Sequence, residues 1–140
     1  MARPRRENRR APQRLILDSG AVIALSRGEG RARAFLARAL ELGAPVAVPV
    51  VVIAETIRGG PRDARVHRVL KAVGSVPDAR EIHGRTAGSL LGAAGSTATV
   101  DALVVAQALE DGGGAQVLTA DPDDLHRLAR THPEVWIQRV

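Results

Sequence analysis

Residues 15–25, Leu-Ile-Leu-Asp-Ser-Gly-Ala-Val-Ile-Ala-Leu, set the architecture. Leu15-Ile16-Leu17 is a short apolar run without alternation, the pattern of a strand buried on both faces. It ends on a charge, Asp18. A helix carrying Val22, Ile23 and Leu25 follows at once, with Ser19 as its candidate cap. A carboxylate abutting a buried strand is costly unless it serves a site.

The same alternation continues downstream. Phe35, Leu36, Ala39 and Leu40 recur at helical spacing up to Gly43. Val46-Ala47-Val48 reads as a second strand, and Pro49 suits the first turn of a helix through Val52, Ile53, Glu55 and Ile57. Pro61 restarts a helix with Val66, Val69, Leu70 and Val73, and residues 74–77 form a weak strand at best. From Glu81 a helix holds Ala87, Leu90 and Leu91, loosened by Gly84, Gly88 and Gly92, and residues 92–99 read as a loop. Thr99 opens a strong helix with Leu103, Val104, Ala108 and Leu109, halted by three glycines at 112–114. Residues 116–119 are a strand, Pro122 opens a helix with Leu125 and Leu128, and residues 135–137 are the last strand. Strands alternating with helices predict one α/β sandwich, a mostly parallel sheet covered on both faces.

Composition narrows the function. Length and a hydrophobic share of 45% fit one folded domain. Phe35 and Trp136 are the only aromatic residues, which argues against base-stacking platforms. Cysteine is absent, so disulfides and thiolate zinc sites are excluded; this is compatible with the cytoplasm. No apolar run approaches the roughly 20 residues of a membrane span. The net charge of +5 resides in residues 1–14, with six arginines and one acid; the rest balances 14 basic against 14 acidic side chains. We expect residues 1–13 to be a basic, disordered arm that holds phosphate or aids solubility, and residues 14–140 to be the domain.

Four acids then fall where a parallel sheet binds its ligands, beyond the carboxyl ends of strands. Asp18 and Asp121 each follow a predicted strand, Glu55 lies on the helix entered from the second strand, and Asp101 is in the first turn of the Thr99 helix. Clustered carboxylates repel one another, and a hard divalent cation, Mg²⁺ or Mn²⁺, relieves that repulsion and can activate water on a phosphodiester. Local alternatives exist. Asp121 before Pro122 is a good helix cap with Asp124 completing it, and Asp101 suits the helix dipole. Glu55 sits in the apolar string 50–54, unlike a merely solvated face.

The pattern resembles the PIN-domain family, and within it the VapC-type toxins of VapBC toxin–antitoxin pairs. LILDSGAVIAL at 15–25, VPVVVIAETIRGG at 48–60, TVDALVVAQAL at 99–109 and VLTADPDDL at 117–125 are similar to the family's four motifs, in order and over residues 14–140. The resemblance implies a three-layer, RNase H-like α/β/α sandwich and an Mg²⁺- or Mn²⁺-dependent endoribonuclease. It places the catalytic and metal-binding acids at Asp18, Glu55, Asp101 and Asp121, with Asp124 a further metal ligand. It also implies a homodimer, RNA as substrate and a small antitoxin as partner.

Around these acids, Ser19 and Thr119 are candidates to hydrogen-bond the ligands, and Arg58 and Arg27 to meet RNA phosphate, with Arg31, Arg33 and Arg85 as further basic candidates. For Arg58, a salt bridge to an acid is an equal alternative. The four histidines lack zincin-like spacing, and the glycines at 112–114 precede no Lys-Ser/Thr of a phosphate loop. A solitary PIN nuclease and a non-cleaving RNA-binding module are the competing functions. A haloacid-dehalogenase phosphatase would want a second acid at position 20, which is Gly20.

Overall fold

The computed structural model describes residues 14–140, so the expected basic arm lies outside the described residues. β1 (Arg14–Leu17) leads into α1 (Ser19–Ser26) and α2 (Gly30–Glu41); β2 (Val46–Ala47) leads into α3 (Val50–Thr56), α4 (Asp63–Val73), α5 (Glu81–Ala94) and α6 (Thr99–Ala108). A 3₁₀ turn at Glu110–Gly112 precedes β3 (Ala115–Thr119), α7 (Asp123–Leu128) and β4 (Val135–Arg139). The four strands pair in the order β2-β1-β3-β4, all parallel.

Leu15, Ile16 and Leu17 are each at most 1% exposed, as are Val117, Leu118 and Thr119 on the neighbouring strand. Successive strand residues point to opposite faces, so burial of consecutive residues means both faces are covered. The expected α/β sandwich is the observed one. α6 lies deepest: Ala102, Val104, Val105, Ala106, Gln107 and Ala108 are all buried, which accounts for its apolar run from Ala102 to Ala106.

Arg14, counted by charge with the tail, is bound into the body. Its guanidinium donates to the carbonyls of Ala108 (2.9 Å) and Glu110 (2.7 Å), and at 3.5 Å to that of Gln107. It thereby satisfies the carboxyl end of α6, where the helix dipole favours a cation.

Two local expectations are corrected. Residues 74–77 form no strand; Gly74 ends α4 with φ 75°, its amide donating to Leu70 O at 3.0 Å, and Ser75 O accepts the Val48 amide at 3.2 Å. The helix expected from Glu81 is present as α5, and its glycines do not break it. Gly84, Gly88 and Gly92 are four apart, share one exposed stripe, and leave His83, Ala87 and Leu90 to pack. The loop expected over 92–99 is therefore shorter, because α5 runs to Ala94 and stops where Gly95 adopts φ 60°.

Candidate active site

Asp18 is placed by backbone bonds on both sides. Its amide donates to Leu118 O at 3.1 Å, tying the end of β1 to β3, and its carbonyl accepts the Val22 amide at 3.0 Å. Its Oδ1 accepts the Ala21 amide at 2.8 Å, so Asp18 itself caps α1. The cap expected from Ser19 is thus supplied one residue earlier. Ser19 instead turns its hydroxyl outward and donates to Glu55 Oε1. That bond joins the start of α1 to the penultimate residue of α3.

Thr119 closes the far side. Its hydroxyl accepts the Asp121 amide at 3.0 Å and lies 3.0 Å from Asp121 O, folding the chain back just beyond β3. Asp121 caps nothing: α7 begins at Asp123 after Pro122 and has no side-chain cap. The local capping alternative for Asp121 is therefore corrected, and its carboxylate is free for the cleft. Asp18, Ser19, Glu55, Asp101 and Asp121 line one cleft of about 190 Å³, floored by Val100 and Val104. Asp124 does not line it, but its charge acts on Asp101 and its carboxylate lies 3.6 Å from Arg127.

Electrostatics report the crowding. Burial, then the charges of Asp18, Asp124, Glu55 and Asp121, push the Asp101 carboxyl up to about 6. Asp18 is also raised, by burial first and by Glu55, against the Thr119 hydroxyl and the α1 amides that favour its charge. A site built of hard oxygens and short of positive charge fits Mg²⁺ or Mn²⁺ in donor type. Among the described residues, no three of these acids already close on a common point at ligand spacing.

Other expected residues fall elsewhere. Arg58 forms no salt bridge among the described residues; its guanidinium donates to Ala54 O (2.7 Å) and Ile57 O (3.0 Å), finishing α3. Arg27 is the exposed residue ending α1, the end opposite Asp18, and does not line the cleft. Arg85 pairs with Glu81 at 3.3 Å, and Arg31 lies over the Phe35 ring at 5.9 Å.

Two residues escaped the sequence reading. A Cβ on Gly20 would meet Ala120 Cβ at 2.8 Å and Ala120 N at 3.0 Å, so the glycine lets α1 abut the turn that carries Asp121. Asp63, 7% exposed, accepts the Arg58 amide (3.1 Å to each oxygen) and the Gly59 amide (2.6 Å). Those bonds, the Arg58 amide first, hold its carboxyl below the usual range and pin the turn after Glu55. An Asp just beyond Gly59-Gly60-Pro61 is a turn signal that could have flagged it.

A parallel α/β sandwich with carboxylates gathered beyond its strand ends defines the class of this molecule. The chain belongs to the PIN domain family, whose sequence model matches residues 15–131. Its fold is similar to the crystal structure of VapBC2 from Rickettsia felis bound to a DNA fragment from their promoter, with a TM-score of 0.72 and 13% identity over 91% of this chain and 99% of that one. It is also similar to a toxin–antitoxin complex from Klebsiella pneumoniae, with a TM-score of 0.63 and 18% identity over 86% of this chain and 94% of that one. No curated protein sequence matches it.

Proposed function

We propose that this chain is a metal-dependent endoribonuclease and the toxin of a type II toxin–antitoxin pair. The observation that carries the reading is the cleft where four separate segments bring Asp18, Glu55, Asp101 and Asp121 together. Membership of the PIN domain family and likeness in fold to two toxin–antitoxin structures support it. A small antitoxin partner, a homodimer and action in the cytoplasm belong to the same reading.

Asp18, Asp101, Asp121 and Glu55 would hold Mg²⁺ or Mn²⁺, with Asp124 as a further acid. Bound there, the cation supplies Lewis-acid activation of water and neutralises charge on the phosphodiester. The protein's own contribution is placement. Ser19 orients the Glu55 carboxylate through Oε1, the α1 amides fix Asp18, and Thr119 sets the turn that aims Asp121. Water attacks phosphorus and the RNA oxygen leaves, with no covalent intermediate on the protein.

The test is incubation of purified protein with total RNA, with and without Mg²⁺ or Mn²⁺, beside the Asp18→Asn/Asp101→Asn double variant. Metal-dependent cutting that the variant lacks is the expected result. Cutting that persists in the variant, or folded protein that cuts nothing, would sink the proposal.

A further inference from the structure

The acid cleft is not the roomiest cavity in the molecule. A groove of about 530 Å³ lies between α5 and the end of α7, lined by Thr86, Ser89 and Ala93 on one wall and by Arg127, Arg130 and His132 on the other. Among the described residues, no acidic side chain lines it. The α5 wall is low because its residues are small, which leaves the guanidinium groups open to solvent.

The charges around it are only lightly committed. Arg127 is two-thirds exposed, and its one ion pair among the described residues is a 3.6 Å contact with Asp124, itself half-exposed. His132 Nδ1 lies 3.3 Å from Glu134 Oε1 at the surface. Arg130 is exposed and has no ion pair among the described residues. Exposed pairs of this kind are worth little and exchange readily for a phosphate.

The position of the groove matters as much as its sign. α7 starts beside the acids, with Asp124 in its first turn, and Arg127 follows within one turn, roughly 5 Å along the axis. The acid cleft by itself repels a polyanion, and residues 15–140 carry no net charge to offset that. Affinity for RNA therefore requires cations segregated next to the cleft. This groove has them.

We infer that the α5–α7 groove is a binding subsite for the RNA strand as it leaves the cleft, with Arg127 and Arg130 contacting backbone phosphates and Thr86 and Ser89 offering hydroxyls to phosphate or ribose. The inference rests on the nuclease reading and adds where the substrate lies. Phosphate contacts position without reading bases, so the subsite sets affinity and leaves sequence choice to other surfaces.

The test uses the full chain, an R127Q/R130Q variant and a control, R38Q/R65Q, that removes the same charge from exposed positions of α2 and α4. Binding of a fluorescent mixed-sequence single-stranded RNA is titrated in EDTA across a range of salt, and cleavage of total RNA is measured with Mg²⁺. Loss of two phosphate contacts is expected to flatten the salt slope by about 1.4 and to raise KM about tenfold, with kcat within about twofold. The control stays close to the parent. S89E keeps both arginines but puts a carboxylate in the groove, and raises KM in the same way.

Groove variants that match the control in slope and KM, while the parent binds and cuts, would overturn the subsite alone. A parent that binds through the groove without cutting would remove the nuclease reading and leave the subsite standing. A parent that neither binds nor cuts RNA would remove both.

Discussion

At the scale of single residues, the site stores a charge conflict that pH exposes. The Asp101 carboxyl titrates near 6 and Asp18 is also raised, so the folded protein holds these protons more tightly than the unfolded chain does. Their contribution to stability is fully present below the ordinary value of 3.8 and is lost as pH rises through about 6. In EDTA, the Tm of the protein is expected to fall between pH 5 and pH 7, and saturating Mg²⁺ to restore most of the loss. Asp101→Asn removes the largest part of that dependence. A parent and variant with parallel Tm–pH curves would contradict this. Glu110 works in the opposite sense and in a lower window. Burial pushes it up, but His83, Arg80 and Gln107 together hold it below its usual value, so its contribution is lost only on acidification.

Gly20 gives the second prediction at this scale. Gly20→Ala drives a methyl into Ala120 at 2.8 Å, which costs about 1–3 kcal/mol as overpacking and parts the Asp18 and Asp121 turns. Misplacement by about 1 Å can cost a hundredfold in rate, so cleavage is expected to drop at least tenfold even when metal saturates. Activity within twofold of the parent would mean that the two turns move independently. The four acids were legible because each stands at the joint between an apolar strand or helix and the next element. Gly20 was not, since its work depends on a chain segment far away that a linear pattern does not display, and Asp63 was marked only by the turn signal of Gly59-Gly60-Pro61.

At the scale of elements, burial decided what could be read. Leu15–Leu17 and Ala102–Ala106 of α6 announce themselves as continuous apolar runs because nearly all of their side chains are buried. α5 was legible as a helix despite an exposed stripe of glycine at every fourth position, and only its end, expected at Gly92, was placed too early. The propensity penalty of those glycines is overridden by His83, Ala87 and Leu90 packing on the other face. Residues 74–77 mislead in the reverse direction: Val76 is apolar yet 42% exposed, and Pro77 has no amide for a ladder. α6 also supplies a stability prediction. Arg14 crosses from β1 to close its carboxyl end, and Arg14→Met leaves those carbonyls with water alone. Two charge-assisted bonds at a helix terminus are worth about 2 kcal/mol together, or roughly 6 °C in Tm for a domain of this size. Thermal unfolding in the presence of EDTA, where metal binding cannot mask the change, measures it; a shift below 1 °C would make the contact incidental.

At the scale of the whole molecule, acidic and basic side chains are segregated, so that on the proposed reading binding and cutting occupy different places. The acids are gathered in one cleft, Arg127 and Arg130 line the α5–α7 groove, and five further arginines lie in residues 1–13. Arg14 belongs to the fold, so a truncation that tests the arm must begin the chain at Arg14 and not remove it. If the arm touches phosphate, deleting residues 1–13 removes up to five contacts, and the salt slope for single-stranded RNA flattens by as much as about 3.5. Affinity at low salt falls, while kcat on saturating RNA holds because no acid of the cleft has changed. The groove variants and the truncation are then additive in slope, since the two sets of contacts neutralise different phosphates. A truncated protein with the parent's slope would place the whole electrostatic term on the folded domain, and the arginines of residues 1–13 would have no part in holding RNA.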